Sequence, residues 1–256
     1  MIANKSYAIC TLPRSGSNYL CQLISSTGQL GKPDEYFNAQ GQQSLGQQLL
    51  GQQVSENQTY PNQRDLQIQK ILSAGTTANG VYGLKLFPNQ HDRIRRYVDW
   101  NQSLPNLKFI FLKRYDILGQ AISWKKVSQT GQFRSDMNSK NQLHYNKDYI
   151  TKRLRDIVRL NARWELYFAQ NGLQPLRLHY ETIVEAPQAT IDQISQFLQV
   201  KDQCAIDFSK IGLEIQSDQT SRDWRDRYLA ESKTPNFIPK LGRSFSDALG
   251  SILAKL

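Results

Sequence analysis

A short apolar run leads directly into a turn of small and basic residues close to the start of the chain. Residues 7–10 have the pattern of a buried strand, residues 11–16 that of a tight turn, and a helical pattern begins at Ser17 or Asn18. This unit favours an α/β fold, because a fully apolar strand followed by a helix is typical of a buried parallel sheet. The first N–H groups of such a helix have no intrahelical acceptor, and phosphate or sulfate binds at such places.

The side chains of this turn suit an anion site. Gly16 allows the backbone to pass close to the anion, Ser15 and Ser17 carry hydroxyl donors, and Arg14 adds a positive charge. The spacing differs from that of a nucleoside-triphosphate loop, which requires Gly, four residues and then Gly-Lys-Ser or Gly-Lys-Thr. An ordinary strand–helix turn, in which Ser-Gly-Ser is common, remains the alternative.

Three more apolar runs extend this pattern along the chain, at residues 81–88, 107–112 and 175–180, and the second of the four strands is expected to end at Pro88. Amphipathic helices are predicted at about 92–100, from Asp116 onward, at 147–171 and at about 189–198, with a loop at 129–134. We therefore expect a mainly parallel sheet of four to five strands flanked by helices. A length of 256 residues fits one domain over residues 1–256.

Basic residues also follow the third strand. Arg114 comes directly after it, Asp116 is a plausible helix cap, and Ser123 lies two helical turns further on. In open α/β sheets ligands bind at the carboxyl ends of the strands, so Arg114 and Ser123 are able to grip one phosphate from two sides. A surface arginine and an unrelated helix serine are the alternative.

Two further charged residues stand in apolar surroundings. Glu35 lies in a segment, residues 33–38, with two neighbouring aromatic rings, and low polarity beside a carboxyl group suits a general base. Lys85 lies inside the second strand, where its amine needs solvent or an anion. The alternative for the Glu35 segment is a turn with rings on the core and acids in water.

Two segments each allow two interpretations. Residues 38–78 are rich in glutamine, with Gly-Gln-Gln repeated every five residues, and favour a loosely helical, mobile excursion that acts as a cap or as a passive spacer. Near the other end of the chain, Arg222 and Arg225 flank Trp224 and are able to stack an adenine and pair a phosphate, or to form a charged helix face. His179, at a strand end, is interpreted as structural.

Composition limits the partners. The net charge of +10 indicates an anionic partner, and nucleic acid, a doubly phosphorylated nucleotide and an acidic membrane surface all fit. The three cysteines, Cys10, Cys21 and Cys204, are expected to be reduced and lack the spacing of a metal site. Neither a signal peptide nor an apolar run of membrane-spanning length is found, so a cytoplasmic protein is expected.

Four segments together resemble the bacterial carbohydrate sulfotransferases typified by trehalose 2-sulfotransferase. They are L-P-R-S-G-S at residues 12–17, P-x-E-[YF]-F at 33–37, G-x-K-L at 83–86, and K-R-x-D…Q-A-x-S with Q-T-G-x-[WF] at 113–133. The resemblance implies a P-loop-like three-layer fold and transfer of a sulfuryl group from 3′-phosphoadenosine 5′-phosphosulfate, without a metal. It implies a hydroxyl of a carbohydrate or glycolipid as acceptor, and it leaves a homodimer open.

The resemblance also implies roles for individual residues. Glu35 matches the general base of the family, whereas animal cytosolic sulfotransferases use a histidine near the position of Phe87. Lys85 is a candidate ligand of the sulfonate oxygens, and Arg114 and Ser123 would hold the 3′-phosphate. The two stand nine residues apart here and eight apart in many sulfotransferases. The residues implied for the 5′-phosphosulfate are Arg14, Ser15, Gly16, Ser17 and Asn18.

Two other classes stay open. A nucleotide-dependent phosphotransferase would need a Gly-Lys-Ser/Thr loop and an aspartate that holds Mg²⁺ after a strand. A nucleotide- or nucleic-acid-binding protein without catalysis fits the net charge, but the basic residues are spread along the chain and form no known nucleic-acid motif. We therefore expect no nucleic-acid partner.

Overall fold

One parallel sheet organises the protein. The computed structural model describes residues 4–37, 69–95, 104, 106–131, 143–212 and 218–232. In this part of the chain the sheet has four strands in the order β2-β1-β3-β4, and every pair is parallel. The strands are β1 (Lys5–Cys10), β2 (Val81–Leu86), β3 (Lys108–Lys113) and β4 (Leu176–His179).

Helices cover both faces of the sheet. They are α1 (Ser17–Ser26), α2 (Pro88–Ile94), α3 (Ile117–Thr130), α4 (Lys147–Gln170), α5 (Tyr180–Glu185), α6 (Pro187–Leu198) and α7 (Gln219–Glu231). Residues 69–75 are also helical, and Phe208–Lys210 form a short 3₁₀ turn. Among these described helices, none combines the length and the apolar character that a membrane span requires.

Alternating side chains of the central strands feed two separate cores. Ala8 and Cys10 of β1 face a core that also contains buried residues of α2, α3, α4 and α7. Tyr7 and Ile9 face the opposite core, which is closed by α1, α5 and α6. Because successive strand residues point to opposite faces, a continuous apolar strand has to be covered on both sides. The predicted α/β class, with a mainly parallel sheet between two helical layers, is confirmed.

Some predicted boundaries are wrong. The helix expected from about residue 92 begins at Pro88, because proline has no N–H to lose at the first helical position and its φ suits a helix. The helix after the third strand continues through Thr130, two residues into the expected loop, and ends at Gly131, whose φ of +67° is left-handed. Of the predicted glutamine-rich excursion, residues 38–68 lie outside the described part of the chain.

All carboxyl ends of the parallel strands lie at one edge of the sheet. The turn after β1 and the turn after β3 meet there, since β1 and β3 are neighbours. This edge carries most of the residues that the sequence singles out.

Candidate functional site

The two basic turns form one cradle. Arg14 Nε donates a hydrogen bond to Ser123 Oγ at 2.9 Å, and Arg114 Nη1 donates to the backbone oxygen of Arg14 at 3.4 Å. Two guanidinium groups and a serine hydroxyl from separate strand–helix units are therefore neighbours at the carboxyl edge of the sheet.

The positive charges of this cradle, which consists of Arg14, Arg114 and Ser123, favour an anion. Burial lowers the pKa of Arg14, and the nearby charge of Arg114 lowers it further. Two neighbouring positive charges repel each other, and an anion between them relieves that repulsion.

The turn after β1 approaches the helix start through a left-handed backbone. Gly16 is the N-cap of α1 with a φ of +85°, and no side chain caps this helix in the described part of the chain. A Cβ atom at Gly16 would overlap the ring of Tyr180, so both backbone angle and space require glycine here. The N-terminus of α1, which carries Ser17 and Asn18, therefore has its positive dipole end directly after the turn that carries Arg14.

The hydroxyl of Ser15 has an interior partner. It lies 2.6 Å from Thr11 Oγ1, and Thr11 uses its own hydroxyl hydrogen on the backbone oxygen of Leu112 at 3.0 Å. Ser15 must then be the donor to Thr11. Ser15 is 1% exposed, and its side chain stabilises the turn from within. The next hydroxyl, that of Ser17, belongs to the first residue of α1.

Arg114 is held from two directions. Its guanidinium lies over the ring of Tyr180, 4.7 Å from the ring centre, and its Nε is 3.7 Å from Glu181 Oε1. Glu181 also accepts hydrogen bonds from the backbone N–H groups of Tyr115 and Asp116, at 3.0 and 3.3 Å. The start of α5 thus fixes the turn that carries Arg114.

The nine-residue interval between Arg114 and Ser123 does not prevent their convergence. Tyr115 projects outward, 64% exposed, and its ring stacks on His179 with 3.9 Å between ring centres. Asp116 caps α3 by accepting from the N–H of Gly119 at 2.9 Å, as predicted. The role of His179 is thus one of packing beside Tyr115, and burial lowers its pKa.

A second cluster lies at the outer side of the same edge. Lys85 Nζ is 2.9 Å from Glu35 Oε1 and donates to Asn18 Oδ1 at 2.5 Å. Gln90 Nε2 donates to the other oxygen of Glu35 at 3.2 Å. Lys85 therefore links Glu35 to the first turn of α1.

This cluster exists because residues 31–35 run alongside β2. The N–H of Lys85 donates to the backbone oxygen of Asp34 at 3.0 Å, which sets the position of Glu35 beside it. Lys85 is 3% exposed, and its burial opposes its charge. Glu35 opposes that penalty most strongly, and together with Cys21 and Asp34 it raises the pKa of Lys85, so the side chain is a buried ammonium.

The two arginines predicted on the last helix are placed differently. Arg225 forms an ion pair with Asp116 and so docks α7 on the start of α3. Arg222 is exposed and donates to Gln219 of its own helix at 2.8 Å. Arg225 therefore stands beside the cradle as a partner of Asp116, whereas Arg222 lies on the charged outer face of its helix.

Sequence reasoning missed four residues of this site. Gln120 and Trp164 bond the turn after β1 from α3 and α4, while Tyr180 and Glu181 hold Arg114. Gln120 begins the Q-A-x-S segment and stands three residues before Ser123, one turn away on the same helix face, and these are the signals that could have found it. Nothing in the spacing of the others indicates their contacts.

No group of three or more His, Cys, Asp or Glu side chains that could hold a metal ion occurs within the described ranges. The three cysteines are buried and unpaired as thiols, in agreement with the prediction.

Comparisons with known proteins all find sulfotransferases. The sequence profile of the family described as Stf0 sulphotransferase matches residues 6–231. The chain is 24% identical over 274 aligned residues to a trehalose 2-sulfotransferase of Mycobacterium tuberculosis (strain ATCC 35801 / TMC 107 / Erdman), with 94% of this chain and 98% of that protein covered. It is 22% identical to a trehalose 2-sulfotransferase of Mycolicibacterium smegmatis, with 89% and 96% covered.

Two solved structures are also similar. The sulfotransferase domain of the olefin synthase from Synechococcus PCC 7002 is 17% identical with a TM-score of 0.45, and covers 99% of this chain and 95% of its own. The sulfotransferase domain from the curacin biosynthetic pathway is 16% identical with a TM-score of 0.48, and covers 99% of both chains.

Proposed function

Since the chain belongs to the Stf0 sulphotransferase family, we propose that this sulfotransferase uses 3′-phosphoadenosine 5′-phosphosulfate as its donor and a carbohydrate hydroxyl as its acceptor. The observation that supports this most is the cradle itself. Arg14 reaches Ser123 at 2.9 Å and Arg114 reaches Arg14 at 3.4 Å, so the turns after β1 and β3 present adjoining anion sites. A donor with phosphate groups at both ends of one adenosine needs two such sites.

The turn after β1 holds the 5′-phosphosulfate. The N–H groups at the start of α1 and the Arg14 guanidinium bind its oxygens, and Ser17 and Asn18 stand in the first turn of that helix. Arg114 and Ser123 hold the 3′-phosphate, which distinguishes this donor from ATP.

Glu35 acts as the general base. It accepts the proton of the acceptor hydroxyl while the oxygen forms a bond to sulfur and the bond from sulfur to the 5′-phosphate oxygen breaks. The products are the sulfated acceptor and adenosine 3′,5′-bisphosphate. Arg14 and the loop N–H groups stabilise the negative charge that develops on the departing phosphate oxygen.

Lys85 interacts first with the general base and then with the transferred group. Before transfer its ammonium balances the charge of Glu35 at 2.9 Å and contacts Asn18 in the donor loop. When Glu35 takes up a proton it becomes neutral, and the attraction of Lys85 is then directed to the sulfonate oxygens. The ion pair thereby couples proton uptake to stabilisation of the transferred group.

Calorimetry with the full chain tests the donor site. Adenosine 3′,5′-bisphosphate should bind without Mg²⁺, and more tightly than ATP by roughly tenfold or more, the value of about one charged hydrogen bond. Tighter binding of ATP with a requirement for Mg²⁺ would instead identify a phosphotransferase.

The acceptor is tested by transfer of radiolabelled sulfate from the donor to a panel of carbohydrates. Trehalose is the first choice because the two curated relatives are trehalose 2-sulfotransferases, and a trehalose glycolipid and a hexose are compared with it. Labelling of carbohydrate hydroxyls supports the proposal, and absence of labelling on every carbohydrate contradicts it.

A further inference from the structure

Side chains from three different elements donate hydrogen bonds to the backbone oxygens of the turn after β1. This turn, residues 11–16, is called the donor loop below. The side-chain bonds run from Trp164 Nε1 to Thr11 O (3.2 Å), from Gln120 Nε2 to Pro13 O (2.8 Å) and from Arg114 Nη1 to Arg14 O (3.4 Å). A fourth bond lies within the loop, from the N–H of Ser15 to the oxygen of Leu12 at 3.4 Å. The backbone oxygens of residues 11–14 therefore all accept a hydrogen bond.

These bonds orient the donor loop for an anion. Carbonyl oxygens carry partial negative charge and repel phosphate, whereas N–H groups attract it. In a trans peptide the C=O and the following N–H point in opposite directions. A donor that fixes the oxygen of Pro13 therefore fixes the N–H of Arg14 on the opposite side.

The backbone at Arg14 needs such support. Its φ is +63°, a left-handed conformation that is uncommon for a residue with a side chain. Strain of this kind persists only when the surrounding structure determines it. The peptides before and after Arg14 are each held by one side chain, Gln120 on the first and Arg114 on the second.

Gln120 is the clearest of the three donors. Its bond is the shortest, its side chain is 1% exposed, and it lies one helical turn before Ser123 on α3. Arg114 is assigned to the 3′-phosphate and Trp164 belongs to the core, whereas the described contacts of the Gln120 amide are with the donor loop.

We infer that Gln120 is a positioning residue that holds the donor loop of the free protein in the conformation that binds the 5′-phosphosulfate. Gln120 acts through Pro13 and Arg14 and does not touch the donor. Because the loop is formed before binding, less conformational freedom is lost when the donor arrives. This inference rests on the proposed function.

The test compares Gln120→Met with the unchanged protein, since methionine has a similar volume and no donor. Calorimetry measures the dissociation constants of adenosine 3′,5′-bisphosphate and of adenosine 3′-monophosphate. The value for the 3′-monophosphate divided by the value for the bisphosphate is the ratio that reports the contribution of the 5′-phosphate. We expect Gln120→Met to reduce this ratio by about 5- to 10-fold, the value of one hydrogen bond lost from a buried acceptor. Affinity for the 3′-monophosphate should change by less than about twofold.

Gln129→Met is the matched control. Gln129 lies on the same helix and its Nε2 donates to a backbone oxygen as well, that of His144 at 3.0 Å. We expect this variant to leave the ratio unchanged. An unchanged ratio in Gln120→Met, or an equal loss of affinity for both nucleotides, would overturn the inference. If the unchanged protein itself shows no preference for the bisphosphate, the proposed function fails instead.

A thermal melt shows whether Gln120→Met is folded. If it is not, Trp164→Phe provides a second variant. It removes the donor to Thr11 but keeps an aromatic ring beside Phe168, on which Trp164 stacks at 5.9 Å. A folded Trp164→Phe protein should show a reduced ratio of the same sense, and an unchanged ratio would argue against a loop held by side-chain donors.

Discussion

Arg14 Nε and Ser123 Oγ, 109 residues apart in the chain, are joined by a hydrogen bond of 2.9 Å. This bond joins the basic turn after β1 to the helix that follows β3. It also orients the guanidinium of Arg14 along the edge of the sheet. A nucleotide with a phosphate group at each end can therefore be held by one continuous surface.

Arg114→Ala should weaken binding mainly through the 3′-phosphate. We expect the affinity for adenosine 3′,5′-bisphosphate to fall by roughly 10- to 100-fold, because a charged hydrogen bond contributes about 1.5–3 kcal/mol. Affinity for adenosine 5′-monophosphate should fall by much less, because Arg114 reaches the donor loop only through its hydrogen bond to the backbone oxygen of Arg14 at 3.4 Å. Calorimetry checks both, with Arg177→Ala as control, since Arg177 is exposed and paired with Glu165 at 2.8 Å. Equal losses for both nucleotides would contradict the assignment.

Glu35→Gln should remove the general base and leave the donor site intact. Turnover is expected to decrease by about 10²-fold or more, with little change in affinity for adenosine 3′,5′-bisphosphate. Steady-state kinetics and calorimetry measure the two effects. Glu165→Gln is the matched control, because Glu165 also pairs with a lysine, Lys113 at 3.3 Å. Near-normal turnover in Glu35→Gln would exclude Glu35 from proton transfer.

Loss of Lys85 should destabilise the fold through its partner. Lys85→Met leaves the Glu35 carboxylate, 19% exposed, without its ammonium. Breaking a buried ion pair from one side costs about 3–5 kcal/mol, and the partial exposure of Glu35 places the effect near the lower end.

The double variant Lys85→Met/Glu35→Gln tests the same pair. It should recover part of the lost free energy of unfolding, because no uncompensated charge remains. Urea unfolding of the four proteins measures the coupling. Strictly additive changes would show that the two side chains do not stabilise each other.

The pH dependence of stability should contain a contribution from His91. This side chain is 7% exposed and packs edge-on against Tyr167, with 4.6 Å between ring centres. Burial lowers its pKa, Asp92 opposes that shift, and two nearby arginines add to it. The unfolded chain therefore binds a proton near pH 6.5 that the folded protein does not. Stability is fully present above that pH and decreases as the pH falls towards the folded pKa.

Urea unfolding between about pH 5 and pH 8 measures this effect. His91→Phe keeps a ring in the aromatic cluster and cannot titrate, so its slope in this window should be smaller. The slope should not vanish, because the pKa of His179 is lowered as well. A slope equal to that of the unchanged protein would show that His91 does not contribute.

The sequence predicts the fold well because the strands have one simple pattern. The apolar runs around Ile9 and Ile110 are continuous, and the run around Leu84 is interrupted by Lys85, a pattern that is typical of strands in a parallel sheet covered on both faces. The convergence of Arg14 with Arg114 follows from the same rule, since carboxyl ends of adjacent parallel strands lie together.

Other parts of the site depend on contacts that no local pattern encodes. Glu35 meets Lys85 because the N–H of Lys85, fifty residues further along the chain, donates to the backbone oxygen of Asp34. Tyr180 lies against Gly16 because α5 begins immediately after β4. Both contacts arise from the path of the chain in three dimensions, so no local sequence pattern predicts them. Pro88, by contrast, is a misread local signal, because a proline that ends a strand equally begins a helix.

The ion pair between Asp116 and Arg225 spans 109 residues of chain and docks the last described helix on the helix that carries Ser123. During synthesis at the ribosome, β1, β2 and β3 emerge well before this helix does. The edge of the sheet that carries Arg14 and Arg114 consequently lacks this flanking helix until the chain has grown by 109 residues beyond Asp116. Contacts of such high sequence separation slow folding, so the nascent chain has to stay free of aggregation through a long interval before the site is complete.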